Sequence, residues 1–137
     1  MTAFTYLAPD QKLELALQLR RRLTEATWIK GDYYCRATNG TICHCLIGAA
    51  AFMFIATHDG DPTDIVGNFE TDAGEFIAAA CPEFQSRGTP GCTSKIIDWN
   101  DNPLRTWAEV DRVVNRIVAH YEAELTRYQR STKYGFV

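Results

Sequence analysis

The 137-residue sequence lacks most of the features that announce a function. It contains no GxSxG elbow, P-loop, GxGxxG fingerprint or HExxH pair, so none of the enzyme classes those motifs mark is indicated. Positive charge is not in excess. Fourteen Lys+Arg face seventeen Asp+Glu for a net charge of −3, which argues against a field that gathers nucleic acid. No apolar run is long enough to span a bilayer; the longest, LIGAAAFMFIA at 46–56, reads as a buried helix. The opening MTAFTYLAPDQK has neither the basic nor the apolar region of a signal peptide. A disulfide framework is not suggested either, because five cysteines at irregular spacing fit a reducing compartment better. Together these absences predict a cytoplasmic protein with no membrane partner. No repeat, linker or low-complexity stretch interrupts the chain, which predicts one domain over residues 1–137.

What is present is ordinary globular composition, 46% hydrophobic and 23% charged, with helical periodicity at both ends. Pro9 suits the first turn of a helix, and Leu15, Leu19, Leu23 and Ala26 recur behind it, predicting a helix over 9–27. Its RRR run at 20–22 complements the helix dipole or, as a second reading, contacts an anionic partner. A second helix is expected from about 45 to 57, ended by HDGDP. A third, shorter one is expected with Asp72 as N-cap and Glu75 three residues on, ending near Cys81 ahead of Pro82. QSRGTPGCTS at 85–94 reads as a loop and KIIDW at 95–99 as a short strand. Thr106 and Glu109 form a capping box. Val110, Val113, Val114, Ile117, Tyr121, Leu125 and Tyr128 then predict a last helix over 106–129. The fold class is therefore α+β, mostly α: about four helices packed around a small β-hairpin, with room for a third short strand.

The hairpin is expected in WIKGDYYCRATNGTICHC at 28–45, where Asn39-Gly40 makes a two-residue turn. That register sets Arg36 opposite Cys43, Cys35 opposite His44 and Tyr34 opposite Cys45. Cys35 and Cys43 then lie on opposite faces, which opposes both a zinc site and a Cys35–Cys43 disulfide. The reading assigns no metal and no cofactor. Cys45, at the start of a helix, is the one cysteine placed for thiolate chemistry. His58 would lie about 13 residues or ~20 Å along the same helix, and His44 faces away by strand alternation. Only His120 is left as a base.

The densest stretch is IIDWNDNPLRTWAEV at 96–110. Thr106 and Glu109 are explained as a cap, Pro103 as loop stiffening, and Asn100, Asp101 and Asn102 as side chains that imitate backbone turns. Trp99 and Trp107 can pin the loop to the core, and Arg105 can pair with Asp101. The same set also suits recognition, since a planar aromatic beside an arginine and an amide is a platform for a base, phosphate or peptide. WIKG (28–31), CLIGAA (45–50) and above all WNDNPLRTWAEV (99–110) resemble a family of uncharacterised small bacterial and phage proteins. The motif runs through Trp99, Asn100, Asp101, Pro103, Arg105, Thr106, Ala108, Glu109 and Val110. More loosely it takes in Trp28, Gly31, Cys45, Leu46, Gly48 and Ala49. The resemblance implies a bacterial or phage origin, hence the host cytoplasm, and supplies no reaction.

The function expected is a non-catalytic binding module. As a phage or prophage counter-defence protein it would engage a host protein or sequester a small anionic ligand such as a signalling nucleotide. The candidate ligand residues are Trp28, Tyr34, Arg36, Trp99, Asn100, Asp101 and Arg105, with Tyr33 and Trp107 completing the aromatic set. A homo-oligomer is left open. The alternative is a cysteine-dependent hydrolase using Cys45 with His120.

Overall fold

The computed structural model describes residues 6–57, 69–87 and 91–133. Among them are five α-helices and one two-stranded antiparallel sheet: α1 (Pro9–Arg22), β1 (Tyr34–Arg36), β2 (Ile42–His44), α2 (Leu46–Thr57), α3 (Glu70–Ala80), α4 (Cys92–Asp101) and α5 (Trp107–Lys133). The class is α+β, mostly α, as the patterning predicts. HDGDP and His58 lie outside the described residues.

The apolar stripe of α5 buries Val110, Val113, Val114, Ile117, Val118 and Tyr121 against the other helices. Its start is the expected capping box. Thr106 N–H donates to Glu109 Oε1 at 3.0 Å, and Glu109 N–H donates to Thr106 Oγ1 at 3.4 Å. At the centre Phe76 and Tyr121 stack with centroids 4.6 Å apart, and the buried Tyr121 hydroxyl donates to the Phe76 carbonyl at 2.5 Å. α1 lies along α5, with Lys12 Nζ 3.2 Å from Glu124 Oε1. The apolar run at 46–56 is α2, whose buried residues join the same core, and no described helix is long and apolar enough to cross a membrane.

Four expectations need correction. α1 stops at Arg22, not 27, because Thr27 Oγ1 donates to the Arg22 carbonyl at 2.8 Å and accepts from Thr24 N–H at 2.8 Å, closing the end in a turn. α3 starts at Glu70, so Asp72 is a buried first-turn residue and not the N-cap. Residues 95–99 are helical within α4: Ile96 and Asn100, four apart, are its buried positions. The extended segment that does lie beside the hairpin is Trp28, bridged in parallel to His44.

The fourth correction is the hairpin register. Ala37 N–H donates to the Thr41 carbonyl (2.8 Å), Gly40 N–H donates to the Ala37 carbonyl (2.9 Å), and Gly40 has φ +88°. That is a three-residue loop with a glycine bulge, and Asn39 serves it through its side chain, which accepts from Thr41 N–H at 2.9 Å. The pairs are therefore Tyr34–His44, Cys35–Cys43 and Arg36–Ile42, one residue away from the expected set. A one-residue slip exchanges faces, so Cys35 and Cys43 share one.

Candidate functional site

The expected site residues fall into three groups. The first centres on Asn100, which is fully buried at the end of α4. Its Oδ1 accepts from the Trp28 indole N–H at 2.8 Å and from the Leu46 backbone N–H at 3.1 Å. Its Nδ2 donates to the Ile29 carbonyl at 3.1 Å and to Asp101 Oδ1 at 3.0 Å. Asp101 Oδ1 also accepts from Gly31 N–H at 2.9 Å. The amide thus uses two donors and two acceptor positions at once, its full inventory. One side chain ties the 28–31 segment to the first turn of α2 and the end of α4. Asn100 is a clamp, and it has no valence left for a ligand.

In the second group, Arg105 packs its guanidinium 4.1 Å above the Trp99 ring and donates through Nε to the Trp99 carbonyl at 2.8 Å. Its NH1 donates to Glu109 Oε2 at 2.6 Å, so its carboxylate partner is Glu109 and not Asp101. These bonds and those to Thr106 hold the Glu109 carboxyl below its usual range, the Thr106 backbone N–H contributing most. Arg105 therefore braces the turn between α4 and α5.

A family model described as a family of unknown function, DUF6197, matches residues 8–120. The chain belongs to that family. No curated protein and no solved structure matches it. The stretch matched by DUF6197 contains all the segments that Asn100 joins, and the Trp-Asn-Asp run is explained by the clamp it forms.

Cys45 sits at the N-cap position of α2, where its Sγ accepts from Gly48 N–H at 3.3 Å. It is buried, and desolvation pushes its thiol up to about 11, against the lowering effect of nearby N–H groups. It borders a cavity of about 220 Å³ with Gly31, Asp32, Tyr33, Ile97 and Asp101, a lining that offers carboxylates but no base suited to deprotonating a thiol. No hydrogen bond joins Cys45 to His120. His120 lies edge-on to Tyr121 and 3.8 Å from Glu124. Among the described residues no three His, Cys, Asp or Glu converge as metal ligands.

The third group is the hairpin, and here the chain offers a basic surface that sequence reasoning located only in part. Gln18, Arg21, Arg22, Thr27, Thr41, Ile42 and Met53 line a groove of about 540 Å³ between the end of α1, the hairpin and α2. Arg36 stands opposite Ile42 in the ladder, so alternation places it on the hairpin face that borders this groove. Arg22 holds its guanidinium 4.2 Å above the Phe52 ring, and desolvation lowers its pKa from the ordinary value while leaving it charged. Arg21 pairs with the exposed Glu14 at 3.2 Å, whereas neither Arg22 nor Arg36 has a carboxylate partner among the described residues. The RRR run was the visible signal. That Arg22 would be braced on Phe52 and faced by Ile42 had none, because those residues meet only through the fold.

Proposed function

We propose that the protein is a non-catalytic binding module whose ligand is a small anion-bearing molecule, held in the groove between α1, the hairpin and α2. The observation that carries this reading is Arg22: a charged fork fixed in orientation over Phe52, without a carboxylate partner among the described residues, on the wall of a groove of about 540 Å³. That volume lies in the ordinary range of ligand sites. A guanidinium so placed suits bidentate contact with a phosphate or carboxylate, and Arg21 and Arg36 add charge of the same sign. Ile42 and Met53 supply apolar wall for a base or other flat group. A nucleotide fits this combination. In a bacterial or phage setting, such a module would withhold a signalling nucleotide from its receptor, or would dock on a host protein through a phosphorylated side chain. The ligand reading thus rests on Arg22 and Arg36, while Trp28, Trp99, Asn100, Asp101 and Arg105 shape the scaffold behind it.

The test is thermal melting and calorimetric titration with inorganic phosphate, pyrophosphate and a panel of mono- and cyclic nucleotides. At least one should raise the melting temperature of the wild type, with affinity that falls as salt rises. Arg22→Gln should weaken binding about tenfold or more, the worth of a charge-assisted hydrogen bond. Arg105→Ala should lower the melting point and leave affinity unchanged. Binding that survives Arg22→Gln and Arg36→Gln together, or a panel in which nothing binds, would overturn the reading.

A further inference from the structure

The corrected register puts two cysteines directly opposite each other. His44, one step along β2, turns its N–H to the Thr27 carbonyl (2.8 Å) and its carbonyl to Ile29 N–H (3.0 Å), both away from β1. Tyr34–His44 is therefore a pair without mutual backbone hydrogen bonds, and by alternation Cys35–Cys43 exchanges both of its own. At such a position the Cα atoms stand about 5.5 Å apart, within the span a disulfide bridges. Cys35 is exposed and Cys43 is buried.

We propose that Cys35 and Cys43 form a reversible dithiol–disulfide pair, oxidised by low-molecular-weight disulfides such as glutathione disulfide, with Cys35 the attacking and Cys43 the resolving thiol. In the first step the Cys35 thiolate, its proton released to water, attacks one sulfur of the oxidant. That S–S bond breaks and one glutathione thiolate leaves, leaving a mixed disulfide on Cys35. In the second step Cys43 loses its proton and attacks Cys35 Sγ. The mixed disulfide breaks, the second glutathione leaves, and the Cys35–Cys43 bond forms. The protein has lost two electrons and two protons, and one glutathione disulfide has become two thiols. The order follows from exposure: the oxidant reaches Cys35, whereas Cys43 is covered and its burial pushes the thiol up, disfavouring it as first attacker. A bridge with one end at the surface is open to reduction, as a reversible pair requires. Cys45 and Cys81 are buried, and Cys92 lies on α4.

The experiment treats the full chain with glutathione disulfide at graded ratios to reduced glutathione, followed by acid quench, thiol counting and non-reducing peptide mapping. Two of the five thiols should be lost together, with one peptide pair joining Cys35 to Cys43, and both should return on reduction. Cys43→Ser should arrest at a stable glutathione adduct on Cys35, and Cys35→Ser should lose no thiol under the same conditions. The adduct on Cys35 in the wild type with Cys43 still free, or a bridge between two chains through Cys35, would overturn the proposal. None of these readouts depends on any ligand of the groove.

Discussion

Replacing Asn100 by Ala tests the clamp most directly. The substitution strands the Trp28 indole N–H and the Leu46 N–H, which both end on Asn100 Oδ1, and removes the donor to the Ile29 carbonyl. Leu46 and Asn100 are fully buried, so water cannot readily replace the lost bonds. A buried group left without its partner costs about 1–3 kcal/mol. With two donors and one acceptor affected and some relaxation allowed, the loss should be about 3–5 kcal/mol, a large part of the ~5–15 kcal/mol that stabilises a domain. Urea unfolding followed by tryptophan fluorescence, extrapolated to water, measures it. Asn100→Asp separates the two halves of the amide. It keeps an acceptor for Trp28 and Leu46, but sets a second carboxylate oxygen against the Ile29 carbonyl and beside Asp101. It should be destabilised at neutral pH and, relative to wild type at the same pH, recover when acid restores a donor. Trp28→Phe alone and with Asn100→Ala completes a cycle that should show about 0.5–3 kcal/mol of coupling. An Asn100→Ala protein within about 1 kcal/mol of wild type, or a strictly additive cycle, would refute the clamp.

Two further substitutions follow from the same packing. His44 is fully buried and neither ring nitrogen makes a hydrogen bond among the described residues, although the Tyr33 backbone lies near enough to favour its charged form slightly. Burial, and secondarily the Arg22 charge, hold its pKa down to about 4. Between that value and the ~6.5 of the unfolded chain, the folded protein binds fewer protons, so stability is complete above this window and falls with pH through it. The loss should reach about 3 kcal/mol and should vanish from the pH profile of His44→Phe; an unchanged acid slope in that variant would count against the assignment. Gly48→Ala would place a Cβ 1.8 Å from the Tyr33 carbonyl oxygen, which is backbone and cannot swing aside. It should destabilise the chain by upwards of about 3 kcal/mol in the same urea assay, and a neutral result would mean that the 28–33 segment does not press on α2 as described.

How much of this was legible in the sequence depended on distance along the chain. The last helix and its capping box rest on residues three and four apart, and both were readable. The hairpin was readable as an element but not in register: Asn39-Gly40 looks like a two-residue turn, whereas the Asn39 side chain and the positive φ of Gly40 build a three-residue loop. Residues 95–99 read as a strand because two isoleucines and a tryptophan suit one, and only burial of Ile96 and Asn100 four apart reveals the helix. The Trp-Asn-Asp run was conspicuous in composition, but its meaning was hidden, since Asn100 bonds residues 54 to 72 positions away. Arg105 showed the opposite limit, because its partner Glu109 was already fully accounted for as half of a cap. The groove was the least legible feature. Phe52 and Ile42 flank Arg22 only after α1, α2 and the hairpin have docked.

Because one amide serves the 28–29 segment and the first turn of α2 together, opening either one leaves part of the buried Asn100 amide without its partners. The two should therefore come apart as a unit, with the Leu46 amide and the Trp28 indole proton exchanging with solvent through the same opening event. The hairpin hangs between these two anchored points, through Trp28 on one side and Cys45–Leu46 on the other. Its local fluctuations are thus limited by a residue on α4 that does not belong to it. A ligand that steadied the hairpin wall would also slow that opening at the far end of the clamp.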